Sequence, residues 1–507
     1  MSTLSRREKL GYSLGEIGST FGWQGMMFYL GMFYTDVFGL SAGAAGAILF
    51  LPRFLDGFVD PMVGAMADRT RSRWGQFRPY LLFAAVPYAL LMLLTYSTPS
   101  FGPTGKAIYA LVTCTAFMIV YSLVAVPFTA LGGVLTEDHV ERTSLQSYRF
   151  MMAFVGGLMV RGLTNPLVKL FGGHDPSARA TTPAAQQGLQ TGFFWTMGIF
   201  GLISIAAFLV AFATTRERVS PPKAQRSSLF TDLTDLLGNG WWLLLKRVAS
   251  AGRRLLGRPP LALEPRKASN TPWVTIFGVV TLNLVYVGVF STAIAYYFKY
   301  FVTARSLVLF GRDTGYDLMS TFNVFGALVI ILVLAFPTTK FLVKHLGKRN
   351  TLIVGYSLVT LSIAGFWLCG PQDVGLILFC QLVQSAGAAP TMPILWSMYA
   401  DAADYSEYVN GRRATGLVSS AVGIGLKAGI ALGAAIPLWV LQSMAYQPGA
   451  PAQSAEVLRA IRLSMSVIPA ALAALTVVAC LFYRLSDERM NEIQAELTRR
   501  REAERAV

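Results

Sequence analysis

Charged residues are scarce in this chain. Asp, Glu, Lys and Arg make up 14% of its 507 residues, whereas a soluble globular protein typically carries about 25%. Hydrophobic residues reach 54%, and the mean hydropathy is +0.50. The shortage of charge excludes a water-soluble globular protein. The length is enough for about a dozen membrane spans of roughly 20 residues each.

Histidine is also rare, and His139, His174 and His345 all lie in or near predicted loops. No nucleophile and general base are grouped around them, so the sequence predicts that the protein is not an enzyme. A Walker-type phosphate loop is missing, which excludes ATP-driven pumping by this chain alone. No resident cofactor is expected.

Cysteine is limited to four residues, all within apolar runs and without metal-ligand spacing. We therefore predict small buried hydrophobic side chains rather than disulfides or a zinc site. The four are Cys114, Cys369, Cys380 and Cys480.

Acidic residues number 27 against 43 basic ones, which leaves a formal charge of +16. Basic residues cluster at the start of the chain, at residues 69–78 and 344–349, and in residues 216–267. Because Lys and Arg concentrate in cytoplasmic loops, both termini are predicted to be cytoplasmic, in a multi-pass protein of a bacterial inner membrane. Attraction to the anionic inner leaflet explains the excess, so lipids are expected partners and nucleic acid is not.

Uninterrupted apolar runs predict twelve membrane helices, six in each half of the chain. They lie near residues 11–37, 43–66, 78–98, 105–135, 145–170 and 190–214, then near 271–301, 318–343, 350–369, 373–400, 412–443 and 459–484.

The predicted domains are a six-helix half at 1–215, a central cytoplasmic loop at 216–270, a second half at 271–485 and a cytoplasmic tail at 486–507. Apolar residues at helical spacing in 228–257 favour an amphipathic helix on the inner leaflet over a regulatory docking site. The mixed charges of the tail predict a solvated helix.

The two halves share a weak internal likeness. Acidic residues followed by Arg come after the fourth run, as in Glu141 and Arg149, and after the tenth, as in Asp401 and Arg413. Parallel repeats of six spans are typical of the major facilitator architecture, in which the substrate lies between the halves near the bilayer midplane. The sequence therefore predicts an all-α membrane protein with two six-helix halves.

Asp56 and Asp60 lie four residues apart inside an otherwise apolar run. Residues at this spacing share one face of a helix. Ionisable groups at membrane depth cost free energy, so their presence indicates a functional site. Two such carboxylates can bind a cation or share a proton. The alternative is a structural salt-bridge network with Lys427.

Several motifs carry a family resemblance. Residues 34–41 read YTDVFGLS, residues 56–64 read DGFVDPMVG, residues 70–75 read TRSRWG, and residues 400–408 read ADAADYSEY. In order and spacing they resemble the glycoside–pentoside–hexuronide:cation symporters of the major facilitator superfamily. The resemblance covers both halves apart from the central loop.

The resemblance implies that Asp56 and Asp60 form the cation site, that Lys427 lies beside it and that Arg149 contacts sugar. Ser122 stands where the family's sodium site has a Thr, and Ala125 replaces a third Asp. Sodium prefers several oxygen ligands, whereas a proton needs only one carboxylate. Proton coupling is therefore favoured and sodium stays open, with Asp56 and Asp60 as the metal ligands in that case.

The sugar contacts differ from the family pattern as well. Thr20, Thr129 and Met392 replace an Asp and two Trp residues that grip a galactoside, so melibiose is not the expected substrate. Carboxylates, amides and aromatic faces nearby suit another sugar, although packing and interhelical hydrogen bonding are the alternatives. These candidate residues are Glu16, Trp23, Gln24, Gln381, Gln384 and Trp396.

Charged residues in the predicted cytoplasmic loops are interpreted as a gate whose ion pairs break when the halves rock, the alternative being charge that only sets topology. They are Asp68, Arg69, Arg73, Asp138, Glu141, Arg142, Asp401, Asp404 and Arg413. Together these features predict cation-coupled import of a glycoside or oligosaccharide by a protein that functions as a monomer. A carrier of lysolipids or another amphiphile is the alternative.

Overall fold

The computed structural model is a bundle of long helices. It describes residues 4–136, 139–178, 182–218, 271–304, 306–309, 312–335, 338–410, 415–448, 450 and 452–506. The N-terminal half consists of α1 Arg6–Phe28, α2 Leu30–Met32, α3 Ala42–Arg69, α4 Arg78–Thr95, α5 Pro103–Val134, α6 His139–Gly172 and α7 Pro183–Thr214. A π-helical turn, Phe33–Val37, continues α2.

The C-terminal half begins with α8, Thr271–Tyr296, which also ends in a π-helical turn, Tyr297–Phe301. A short antiparallel hairpin follows, β1 Ser306–Leu309 and β2 Arg312–Asp317, in which Ser306 pairs with Asp317. The remaining helices are α9 Leu318–Ala335, α10 Thr338–Gly365, α11 Val374–Ala388, α12 Thr391–Asn410, α13 Thr415–Ser443, α14 Ala455–Met465, α15 Val467–Leu481 and α16 Asp487–Ala506.

Helices lie over all twelve predicted runs, with different ends. The run at 459–484 is divided at Ser466, between α14 and α15, and Gly347 interrupts α10 with a φ of 76°. Among the described residues nine helices are long and apolar enough to span a bilayer, or up to ten if the bent pair α9 and α10 counts as one span. Twelve spans therefore stays a prediction.

Two local features differ from expectation. The hairpin was not predicted, because two strands of four and six residues leave only a weak pattern between long apolar runs. The tail α16 is helical as predicted but not solvated all round, since Met490, Ile493 and Leu497 are buried. Their spacing of three and four residues forms one apolar stripe. The predicted amphipathic helix in the central loop lies outside the described residues.

The two halves meet mainly through α3 against α13, α1 against α8 and α6 against α9. Within the C-terminal half α8 and α13 approach closely, because a Cβ added at Gly433 would lie 2.4 Å from the carbonyl oxygen of Val285. This close approach fixes α13, and with it Lys427, relative to the rest of its half.

Contacts between loops define two ends of the bundle. At the predicted cytoplasmic end Arg218 donates to Glu8 at 2.6 Å. At the opposite end, the predicted outer end, Asp317 bridges the halves: it accepts from Asn165 Nδ2 at 2.8 Å and from Ser177 Oγ at 2.9 Å. The same carboxylate accepts from the backbone N–H of Ser320 in the first turn of α9, at 2.8 Å.

Asp175 lies in this outer loop, between α6 and α7. Burial raises the pKa of its carboxyl above the ordinary range, and the nearby charge of Asp317 raises it further. A carboxyl whose pKa is raised on folding destabilises the folded state above its unfolded pKa, and the penalty is complete above its folded pKa. The penalty is absent in acid, where both states are protonated.

We therefore expect Asp175→Asn to raise the thermal unfolding midpoint by about 1–2 °C at neutral pH. Asn keeps an oxygen to accept the 2.8 Å hydrogen bond from the Ser177 N–H and removes the charge. The difference should shrink as pH falls towards 4, which a pH series of thermal unfolding curves in detergent checks. A difference that grows in acid would contradict the assignment.

Candidate cation and substrate site

Lys427 bridges two carboxylates from the other half. Its Nζ contacts Asp56 Oδ2 and lies 2.5 Å from Asp60 Oδ2, while Ser122 Oγ donates to Asp56 Oδ1. The Asp56 side chain is 1% exposed and that of Asp60 is 33% exposed. The four residues predicted for the cation site are thus brought together from three helices, α3, α5 and α13.

Asp60 is the more accessible partner and retains unused acceptor capacity. Its Oδ1 is buried and has no hydrogen-bond partner in the part of the chain that the structure describes. Lys427 places one positive charge between two negative ones, so Asp56, Asp60 and Lys427 together carry one net negative charge. These three residues can accept one proton, or bind one monovalent cation in addition to the ammonium, and become neutral.

Arg149 is held in a second polar group by residues of α1 and α5. Its Nε lies 2.5 Å from Glu16 Oε2, its Nη2 donates to Thr129 Oγ1 at 3.1 Å, and its guanidinium lies 5.3 Å from the centre of the Phe128 ring. Arg149, Glu16 and Thr129 are predicted sugar contacts for separate reasons, and the structure joins them. The Glu16 side chain is 15% exposed, so it does not extend into solvent.

The two polar groups are linked by α5. Ser122 contacts Asp56, and Thr129, seven residues later, contacts Arg149. Seven residues are two helical turns, so both side chains project from one face of α5 and their Cα atoms lie about 10 Å apart along the axis. A disaccharide-sized ligand at Arg149 would therefore lie near the cation site.

Aromatic and amide residues continue this surface along α1. Trp23 stacks on Tyr121 with ring centres 5.7 Å apart, and Gln24 accepts from Arg161 Nη2 at 3.3 Å. Thr20 packs against Gly156: a Cβ added at Gly156 would lie 3.2 Å from the Cβ of Thr20. Thr20 is thus a contact between α1 and α6 in this state.

Arg53 is a site residue that sequence reasoning missed. It lies one turn before Asp56, is 2% exposed, and its guanidinium lies 5.8 Å from the centre of the Trp23 ring. None of its three guanidinium nitrogens has a hydrogen-bond partner among the described residues. An Arg inside the apolar run 43–66 is an intramembrane charge, and the rule that singled out Asp56 would also have found it.

The predicted C-terminal sugar contacts are not brought to Arg149. Gln381 and Gln384 are buried and share hydrogen bonds with Ser385, at 3.2 and 3.3 Å, so they hold α11 internally. The side chains of Met392 and Trp396 are partly exposed, and Trp396 packs edge-on to Tyr399. Spacing alone could not distinguish these packing positions from binding positions, because both place polar residues on an inward-facing helix side.

Two of the predicted gate residues, Glu141 and Asp401, form ion pairs within one half. Glu141 pairs with Lys9 at 2.8 Å, and Asp401 with Lys348 at 2.5 Å. The guanidinium of Arg73 lies over Trp74, and Arg69 borders a cavity of about 430 Å³. Asp404 lies on α12. Asp138 and Arg413, and the side chains of Asp68 and Arg142, lie outside the described residues.

A family model described as MFS/sugar transport protein matches residues 11–252 and 266–487. The chain is also 32% identical to the inner membrane symporter YicJ of Escherichia coli K12, over 97% of this chain and 95% of YicJ.

The chain belongs to the MFS/sugar transport protein family.

Further relatives within this family have named substrates. The chain is 29% identical to an isoprimeverose transporter of Lactiplantibacillus pentosus, over 99% of this chain and 93% of the transporter. It is 26% identical to a glucuronide carrier protein homolog of E. coli K12, over 99% and 98% respectively. These relatives confirm the predicted glycoside–pentoside–hexuronide:cation symporter family.

Solved structures support the fold. A crystal structure of tetrameric PepTSo2 matches with a TM-score of 0.65 at 12% identity, covering 97% of this chain and 99% of PepTSo2. A crystal structure of the nucleoside transporter NupG matches with a TM-score of 0.56 at 14% identity, covering 94% of this chain and 98% of NupG. The all-α major facilitator fold is thereby confirmed. The protein is a multi-pass membrane transporter for a small molecule and not an enzyme.

Proposed function

We propose that this MFS transporter imports a glycoside or oligosaccharide by symport with a proton, through alternating access. The observation that carries the proposal is Lys427, which comes from the C-terminal half and neutralises one of two carboxylates in the N-terminal half. An ion pair that joins the halves at the coupling site changes whenever the halves move or the site is loaded. Binding of a proton or cation at this site can therefore be linked to the conformational state.

Proton coupling is favoured over sodium coupling by the donor set. Asp56, Asp60 and Ser122 are the oxygen donors at the site, and Ala125 supplies none where the family has a third Asp. A proton needs only Asp60 and no complete coordination shell.

Coupling follows from charge compensation. Protonation of Asp60 in the outward-facing state removes its attraction for Lys427, which leaves Lys427 paired with Asp56 and makes the group of Asp56, Asp60 and Lys427 neutral. The neutral site lowers the cost of moving between states, and sugar beside Arg149 is bound before the halves, residues 1–215 and 271–485, rock inward. By thermodynamic linkage a proton that raises sugar affinity is itself bound more tightly when sugar is present.

The sugar is proposed to bind at Arg149 and Glu16, with Trp23 as the aromatic face for the ring. Guanidinium donors and a carboxylate acceptor suit paired hydroxyl groups, and a Trp face suits the apolar side of a pyranose. The names of the isoprimeverose and glucuronide relatives support a sugar conjugate. The protein is proposed to work as a monomer in a bacterial inner membrane, with both termini in the cytoplasm and lipids around it.

Uptake into proteoliposomes tests this proposal. Purified protein is given radiolabelled mono-, di- and oligosaccharides under an imposed pH gradient, an imposed sodium gradient or neither. Liposomes without protein are the control, and a lysophospholipid arm tests the alternative substrate class.

Accumulation of a glycoside that requires the pH gradient is expected. Accumulation that follows only the sodium gradient would overturn proton coupling and keep symport. Transfer of lysophospholipid, with no sugar accumulated under either gradient, would overturn the sugar assignment.

A further inference from the structure

A second ion pair joins the halves far from the cation site. Lys299 Nζ lies 3.2 Å from Asp36 Oδ2, and the two side chains are 2% and 0% exposed. Tyr300 donates to Asp36 Oδ1 at 2.9 Å, and Tyr446 contacts the same oxygen. These four residues, Asp36, Lys299, Tyr300 and Tyr446, are called the Asp36 cluster. Its carboxylate comes from the N-terminal half and its three partners come from the C-terminal half.

The cluster lies on two matching irregularities of the backbone. Asp36 is in the π-helical turn Phe33–Val37, and Lys299 is in the π-helical turn Tyr297–Phe301. One turn follows α1 and α2 at the start of the N-terminal half, and the other ends α8 at the start of the C-terminal half, so the two occupy equivalent places in the repeat. Single π-helical turns are rare and occur frequently at functional sites. Their pairing around one ion pair is hard to explain by helix packing alone.

The position of the cluster is at the predicted outer end. Thr35 and Tyr296 share a hydrogen bond of 2.8 Å between the halves directly beside it, and Gln186 donates to the backbone carbonyls of Asp36 and Val37 at 2.8 Å. The Asp317 contacts described above also join the halves at this end. The outer end is thus closed by polar contacts across the interface.

The energetics suit a contact that can open. A buried ion pair gains little over an apolar pair, because desolvation offsets most of the attraction, but removal of one partner leaves an uncompensated buried charge. Water that enters as the halves separate can hydrate both ions and recover that desolvation cost. Apolar packing gains nothing comparable from entering water. An ion pair therefore closes the substrate path, and separating it costs less free energy than separating an apolar contact.

We propose that the Asp36 cluster is the outer gate of the transporter, which closes the substrate path in the inward-facing state and separates in the outward-facing state. It would act with the Asp56, Asp60 and Lys427 site as the second of two carboxylate–ammonium contacts between the halves. This inference rests on the alternating-access function proposed above. Its test needs no substrate, so it can fail separately from the assignment of the sugar or the ion.

The test uses Thr292→Cys as a reporter of opening. Thr292 on α8 is 5% exposed and faces Gly31 of the other half, where an added Cβ would lie 3.5 Å from Thr292 Cγ2. The four native cysteines are buried, so their labelling by a membrane-impermeant maleimide added to intact cells should be low. Protein without Thr292→Cys measures that background.

Asp36→Asn and Lys299→Gln are each expected to raise the labelling rate of the reporter about tenfold. An outward-facing state whose population is about 1–10% can increase in population by about that factor. The double variant should label more slowly than the sum of the single effects predicts, since no unpaired charge remains. Size-exclusion profiles check that each variant is folded.

A matched pair of milder variants keeps the test decisive if a charge variant does not fold. Tyr446→Phe removes a buried hydroxyl that joins the halves, and Tyr88→Phe removes one that donates to Gly18 O at 3.0 Å within the N-terminal half. Only Tyr446→Phe is expected to increase labelling, by at least about twofold. Equal labelling of both variants, or unchanged labelling of folded Asp36→Asn, would overturn the outer gate.

Discussion

Asp60→Asn is expected to abolish concentrative uptake, with the ratio of internal to external sugar falling to about one. The amide keeps the shape of the carboxylate but cannot take up and release a proton, so the gradient can no longer be linked to sugar movement. Lys427 would remain paired with Asp56, so the site would be held permanently in its neutral form. Exchange of internal for external sugar needs only the loaded carrier and should be spared.

Paired measurements in proteoliposomes check this result, with accumulation under an imposed pH gradient set beside sugar exchange at equilibrium. Asp56→Asn should also lose accumulation, and it should fold less well because Asp56 is buried against Ser122 and Lys427. Asp373→Asn is the control, since that carboxylate lies in a predicted outer loop and, among the described residues, accepts only from the Gly370 N–H, at 2.8 Å. Full accumulation by both Asp56→Asn and Asp60→Asn would remove the coupling role from the pair.

Arg149→Lys is expected to weaken sugar binding about a hundredfold, because losing one partner of a buried, charged hydrogen bond costs ~2–5 kcal/mol. A lysine can still pair with Glu16, but a single ammonium cannot reproduce the fixed fork of donors that reaches Glu16 and Thr129 together. The loss should appear as a raised KM for uptake and a raised Kd in equilibrium binding. Coupling, measured as the sugar accumulated per unit of gradient at saturating sugar, should change little.

Arg462→Lys provides the matched control for that substitution. Arg462 is another guanidinium in the bundle, on α14, where it donates to the backbone carbonyl of Trp367 and lies 5.0 Å from the Phe301 ring centre. It contacts no predicted sugar residue, so Arg462→Lys should leave KM unchanged. If both variants raise KM equally, the effect belongs to helix packing and Arg149 is not a sugar contact.

The helices and the shared face of Asp56 and Asp60 were predictable because their signals are local. Apolar runs of about 20 residues indicate membrane helices directly. Asp56 and Asp60 share a helix face whatever surrounds them. Lys427 and Ser122 entered through the family resemblance, and the structure places both at the carboxylates.

The structure brings only some of the predicted sugar-site residues together. Arg149, Glu16 and Thr129 meet because α1, α5 and α6 pack together in one half. Gln381 and Gln384 were equally plausible on α11, where each shares one hydrogen bond with Ser385 of the same helix. A polar residue on an apolar helix can serve packing or binding, and only its neighbours decide which.

The sequence by itself determined that this chain lives in the membrane, is built of apolar helices and carries two carboxylates that need a counter-charge. These properties follow from composition and from spacing along single helices. Local spacing did not show which counter-charge each carboxylate receives: the family resemblance pointed to Lys427 for Asp56 and Asp60, and only the tertiary structure showed Lys299 beside Asp36. Lys427 lies 371 residues after Asp56, and Lys299 lies 263 residues after Asp36. Ion pairs between the halves depend on how two six-helix repeats face each other, and no local spacing encodes that contact.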